Sequence, residues 1–176
     1  SYSSPIIKNN IIYTGYSSSS DIFKGIHNAN ESSAIIINNY ISGEKPTTVN
    51  TNGEVYGISS NSSNIVIINN TILGGNDQDL SWPIYILASY CVIHGNKIYG
   101  GKGFNKIIGV YNYLTKSTIS NNTVYLGTAL DRSSNIELVY GYINSICNNI
   151  LFSDGSGGNE RFGIREIGLY ADPVLV

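Results

Sequence analysis

The chain of 176 residues contains no methionine, one tryptophan, two cysteines and only five alanines. So few strong helix formers argue against a helix-rich protein. Charged residues make up 12% and the formal net charge is −2. That balance leaves no electrostatic footprint for nucleic acid or for an anionic membrane surface. No apolar run approaches the ~18 residues that a membrane-spanning helix needs, so insertion by a helix is excluded. The chain opens Ser1-Tyr2-Ser3, with neither an initiator methionine nor the charged and apolar regions of a signal peptide. It therefore reads as a processed product or a fragment of a longer chain. In abundance are 28 Ile, 23 Asn, 23 Ser and 19 Gly. The length suits one domain with a sizeable core.

These residues are periodic. An Asn-Asn pair recurs at Asn9-Asn10, Asn38-Asn39, Asn69-Asn70, Asn121-Asn122 and Asn148-Asn149, and Gly95-Asn96 fills the remaining slot. The spacings are 29, 31, 26, 26 and 27 residues. Two residues before each pair stand Ile7, Ile36, Ile67, Ile93, Ile119 and Ile146. Two residues after it stand Ile12, Ile41, Ile72, Ile98, Val124 and Leu151. A smaller column precedes them: Pro5, Ala34, Ile65, Cys91, Ser117 and Asn144. Glycines follow downstream at Gly15, Gly43, Gly74-Gly75, Gly100-Gly101 and Gly127, and mark a turn.

Each copy thus reads as strand, two-residue turn, strand, Gly-marked loop, strand and short connection. The strands are predicted to be three to five residues long. Such a unit buries its apolar face only by stacking on its neighbours. The prediction is an all-β, single right-handed parallel β-helix of six coils and a partial seventh, three short strands per coil. The copies span about 5–32, 33–63, 64–89, 90–115, 116–143 and 144–167. Arg161 to Ile167, at the end of the sixth copy, reads as the opening of the seventh coil, and 168–176 as an irregular cap broken by Pro173. Like residues then stack at ~4.8 Å along the axis. The first Asn of each pair suits the left-handed backbone of a tight turn. The second, at Asn10, Asn39, Asn70, Asn96, Asn122 and Asn149, is predicted to face inward as a hydrogen-bonded structural ladder.

The I-x-N-N-x-I core with its trailing glycines resembles the right-handed parallel β-helix repeat superfamily, often called pectin-lyase-like. It is most similar to bacterial secreted or surface β-helix repeat proteins. The resemblance covers about residues 5–167 and implies the fold, with an extracellular or cell-surface location. It implies no activity, because that superfamily spans lyases, hydrolases, phage tailspikes, adhesins and proteins without known activity. The Asp cluster and arginine base of pectate lyases have no match here. Neither do the Asn-Thr-Asp and Gly-His-Gly segments of polygalacturonases.

Chemistry was sought residue by residue. His27 and His94 lie three coils apart, at least ~14 Å, too far to share a metal, and each reads as an outward strand residue. Cys91 and Cys147 lie two coils apart in different columns, so both are predicted free, Cys91 inward and inert. Eight of the twelve acids fall in the stretch after the glycine turn, read as one loop edge: Asp21, Glu44, Glu54, Asp77, Asp79, Asp131, Asp154 and Glu160. Asp77 and Asp79 are candidate calcium ligands, the one cofactor the residues suit. Asp131 or Glu54 is a candidate partner for them in a glycosidase pair, which requires ~5–10 Å between carboxyl groups. The competing reading is that loops are simply where charge belongs. An aromatic column, Tyr13, Ser42, Leu73, Tyr99, Tyr125 and Phe152, is expected to point outward. With Tyr85, Tyr111, Tyr140, Tyr142 and Trp82 elsewhere, it offers stacking surface for sugar rings. The leading expectation is a non-enzymatic surface solenoid, structural or binding a polysaccharide or a surface partner. The alternatives are a polysaccharide lyase or glycoside hydrolase, and a fragment of a phage tailspike.

Overall fold

A computed structural model describes residues 3–14, 22–43, 50–87, 90–141, 144–154, 158–168 and 173–175. It shows an all-β parallel solenoid with three strands per coil, numbered here along the chain. The first sheet stacks β1 (Ile6–Lys8), β4 (Ser33–Ile37), β7 (Asn64–Ile68), β10 (Tyr90–His94), β13 (Lys116–Ser120), β16 (Asn144–Cys147) and β19 (Pro173–Leu175). The second stacks β2 (Ile11–Tyr13), β5 (Tyr40–Ser42), β8 (Thr71–Leu73), β11 (Lys97–Tyr99), β14 (Thr123–Leu126) and β17 (Ile150–Ser153). The third stacks β3 (Ile22–Ala29), β6 (Asn50–Asn61), β9 (Asn76–Leu87), β12 (Lys102–Tyr113), β15 (Arg132–Val139) and β18 (Glu160–Ile167). The described strands therefore make six coils of three strands, with one strand of the next.

The isoleucine columns form the core. Ile36, Ile67, Ile93 and Ile119 lie in direct register and are fully buried. Ile41, Ile72, Ile98 and Val124 do the same in the second sheet. β-branched side chains suit this stack because their stiff χ1 costs little to order on a pleated surface. Between the two sheets the first residue of each pair has positive φ, 58° at Asn9, 55° at Asn38, 54° at Asn69 and 66° at Gly95. Among common residues glycine and asparagine bear that conformation at least cost. The turn then aims the second Asn inward. Asn39, Asn70, Asn96 and Asn122 are buried, and each takes its neighbour's Oδ1 with both its backbone N–H and its side-chain amide.

Three expectations change. The third-sheet strands run eight to twelve residues rather than three to five. Parallel pairing extends back through the polar stretch after the glycines, with register irregularities at Asn50/Glu54 and Lys102/Lys106. Glu54, Asp77 and Asp79 therefore sit on strands, not on a loop edge. At the C-terminal end, β18 pairs with β15 and completes the sixth coil; it does not open a seventh. The seventh is opened by Pro173–Leu175, which pairs with β16 instead of forming an irregular cap. Pro173 is the first residue of its strand, a position that proline tolerates in sheets.

Gly101 shows how closely the coils approach. Its φ is +79°, and a Cβ there would run into the Gly75 carbonyl of the preceding coil. Gly101→Ala is expected to cost about 2–4 kcal/mol from left-handed strain plus overpacking. Gly163→Ala, where the nearest atom to a new Cβ is 4.0 Å away, is the control and should be near neutral. Denaturant midpoints of the two variants check this.

Candidate functional site

The outer face of the second sheet carries the aromatic column in direct register: Tyr13, Ser42, Leu73, Tyr99, Tyr125 and Phe152. In a parallel stack every like position lands one coil above the last, so similar side chains become a ladder. Tyr99, Tyr125 and Phe152 are 41%, 44% and 49% exposed. Their centroids are 6.3 and 6.0 Å apart, with ring planes tilted 43° and 42°. Tyr13 is exposed at the other end and meets Tyr40 edge to face at 6.4 Å. The three successive rings make an open, amphipathic strip three coils long.

No family model, curated protein or solved structure matches the chain. Any functional reading therefore stands on side-chain geometry.

Trp82 is not part of an open surface. It lies on the outer side of the third sheet but is only 8% exposed. Tyr56 stacks on it at 6.2 Å with planes 5° apart, and Tyr111 meets it at 4.9 Å and 79°. Tyr85 stacks on Tyr111 at 5.0 Å. Lys106 reaches over the Trp82 ring, 5.9 Å from its centroid. The four rings bury one another and so consolidate this face. Tyr56 lies in register with Trp82, and Tyr85 with Tyr111. Their mutual burial depends on side chains from three coils meeting.

Of the carboxylate candidates, the structure brings two into electrostatic contact. Tyr56 donates its hydroxyl to Glu54 at 2.5 Å. Asp79, on the neighbouring strand, has its carboxyl pushed above the usual range by burial. The Glu54 charge adds to that rise, while Asn105, which donates to Asp79, and Lys106 work against it. Asp131 is exposed and precedes Arg132, which pairs with Lys106. That places Asp131 two coil steps from Asp79, ~9.6 Å along the axis, and three from Glu54, ~14 Å. The Asp77 side chain, Asp21, Glu44 and Tyr142 lie outside the described residues. Among the described residues no three His, Cys, Asp or Glu side chains converge to hold a metal ion.

The histidines face outward, and each meets a serine of the next coil: His27 Nδ1 to Ser59 Oγ at 2.8 Å, His94 Nδ1 to Ser120 Oγ at 2.9 Å. Both cysteines are free. Cys91 is buried, and burial pushes its thiol up to about 12, which leaves it a thiol at neutral pH.

One buried acid escaped the sequence reading. Glu137 is 2% exposed, yet it sits on the outer side of the third sheet in register with Tyr111 and Arg165. Arg132 Nη2 lies 3.3 Å from one of its oxygens, and Arg165 Nη1 lies 3.5 Å from the other, unaligned for a hydrogen bond. Ser134 donates to the second oxygen at 3.3 Å. The triad is a buried charge cluster on the solenoid's exterior, walled by neighbouring side chains.

Proposed function

We propose that the chain is a non-enzymatic β-solenoid of the extracellular space or cell surface that binds glycan along the outer face of its second sheet. The observation carrying this reading is the exposed ladder Tyr99–Tyr125–Phe152. Aromatic faces bind sugar rings through their apolar C–H surfaces while the tyrosine hydroxyls stay wet. Three rings in a line favour an extended polysaccharide, which engages several at once. The location rests on the resemblance to secreted and surface β-helix repeats. The test is retention of the protein on a panel of immobilised polysaccharides. Tyr99→Ala and Tyr125→Ala should each weaken retention about fivefold to tenfold, the equivalent of roughly 1–1.4 kcal/mol per ring. Unchanged retention in the double variant would sink the reading.

A second reading, a glycoside hydrolase or lyase of the pectin-lyase-like type, is favoured by the Glu54–Asp79 pair. Burial, with the Glu54 charge adding to it, raises the affinity of the Asp79 carboxyl for its proton, which suits a general acid. Cleavage products that vanish in both Glu54→Gln and Asp79→Asn, with retention intact, would establish it over the first reading.

A further inference from the structure

A hollow opens on the third sheet, away from the aromatic ladder. It holds about 230 Å³ and spans the first three coils. Tyr56 and Tyr85 form two of its walls, their rings 5.3 Å apart and 88° to one another. Ser59, buried, lies at its floor with its hydroxyl against His27 Nδ1. Asn61 and Lys24 complete the polar lining, and Lys24 sits 5.7 Å above the Tyr56 ring. Among the described residues no carboxylate lines the hollow. The closest acid in sequence to its wall, Glu54, has an oxygen engaged by the Tyr56 hydroxyl.

Each feature constrains the occupant. The volume equals about eight waters at ~30 Å³ each, room for one hexose-sized ring and little more. Walls at a right angle give a sugar one flat apolar face to rest on and one edge to meet. Ser59, Asn61 and the Tyr85 hydroxyl supply donors and acceptors for ring hydroxyls. Lys24 brings a positive charge, and among the described residues no acid lines the hollow opposite it, so an anionic group is favoured at that end.

We propose that this hollow is a binding site for a single sugar ring bearing an anionic substituent, a carboxylate or a sulfate ester, recognised through Lys24 and His27. The site is independent of the second-sheet ladder. The titratable and polar groups that line the hollow with His27 are Lys24 on its own strand, Tyr56, Ser59, Ser60 and Asn61 on β6, and Tyr85 on β9. Burial, and then the Lys24 charge, hold the imidazole below its ordinary value, against the Ser59 contact that raises it. His27 therefore gains its proton at a lower pH than an ordinary histidine does. A second positive charge then faces the ligand, so affinity for an anion rises as pH falls, and a bound anion in turn raises the His27 pKa by linkage.

The experiment titrates the protein with the methyl glycosides of glucuronic acid and of glucose, with glucose 6-sulfate, and with inorganic sulfate, by calorimetry at pH 7.5 and 5.0. At least one anionic sugar is expected to bind tenfold or more tighter than the neutral glycoside, and threefold to tenfold tighter at pH 5.0 than at 7.5. Whichever of the two prevails identifies the substituent. Lys24→Gln, at an exposed position, should remove the preference for charge, and His27→Gln should remove the pH dependence while leaving binding at pH 7.5. Tyr99→Ala with Tyr125→Ala should change nothing here, which separates this site from the ladder. Equal binding of neutral and anionic sugars, inorganic sulfate binding as tightly as the sugar sulfate, an unaltered Lys24→Gln variant, or no binding of any probe would each overturn the assignment.

Discussion

Asn96→Ala is expected to lower the free energy of unfolding by about 3–5 kcal/mol, read from denaturant titration. Asn96 sits mid-ladder and is buried. Its Oδ1 accepts from the Asn70 backbone N–H at 2.8 Å and the Asn70 side chain at 3.1 Å. Its amide reaches the carbonyls of Ile67 at 2.9 Å and His94 at 3.1 Å, and Asn122 Oδ1 at 3.0 Å. Alanine removes all of these and leaves the Asn70 N–H buried without a partner. An orphaned buried polar group costs about 1–3 kcal/mol, and each further lost bond about 1. Against a total of roughly 5–15 kcal/mol for a domain, that is a large fraction. Asn10→Ala is the contrast. Asn10 is exposed at the end of the ladder, and its loss should cost under about 1 kcal/mol. Equal effects at the two positions would show that the ladder adds nothing beyond turn propensity.

Glu137→Ala should cost a similar amount, about 3–5 kcal/mol, for a different reason. The triad holds two arginines with little exposed surface, their side chains 15% and 22% accessible, around one buried carboxylate. Removing the carboxylate takes from Arg132 the oxygen 3.3 Å away and leaves Arg165 with the half-exposed Glu160 at 3.9 Å, and breaking a buried pair from one side carries that scale of penalty. Replacing all three with apolar residues of similar volume, Glu137→Leu with Arg132→Leu and Arg165→Met, should recover most of the loss. The comparison of the single and triple variants by denaturation is decisive. A single variant as stable as the parent would mean the charges are solvated after all. A triple variant no better than the single would mean that shape, not charge, holds this face together.

These two sites differ in how far they could be read in advance. The ladder is a column of identical residues recurring at 26 to 31 positions, and identity at a fixed interval is what parallel stacking demands. The isoleucine columns and the Tyr99–Tyr125–Phe152 strip were legible for the same reason, since strand alternation assigns each column a face. Glu137 was not legible. Nothing in Asn-Ile-Glu-Leu marks the residue as buried, and its partner Arg165 lies 28 positions on, aligned only by the register of β15 with β18. Part of the acidic stretch after the glycines, Glu54, Asp77, Asp79 and Glu160, was misread as loop because its composition is polar, whereas Asp131 and Asp154 do lie outside strands. Sheet pairing nonetheless extends through it, carried by the backbone ladder of neighbouring coils.

The repeat dictates the architecture: a unit that cannot bury its own apolar face must stack, and stacking dictates parallel sheets, inward isoleucines and an asparagine ladder. Which outward side chains meet is a matter of packing between coils. That packing closed Trp82 inside a cluster of rings, set Asp79 beside Glu54, buried Glu137 between two arginines, and opened the hollow at His27 and Lys24. The physical reason is that the repeat specifies what each position does within a coil. Burial of an outward side chain depends instead on the particular neighbours above and below it, and on irregular register in the third sheet, which no periodicity encodes.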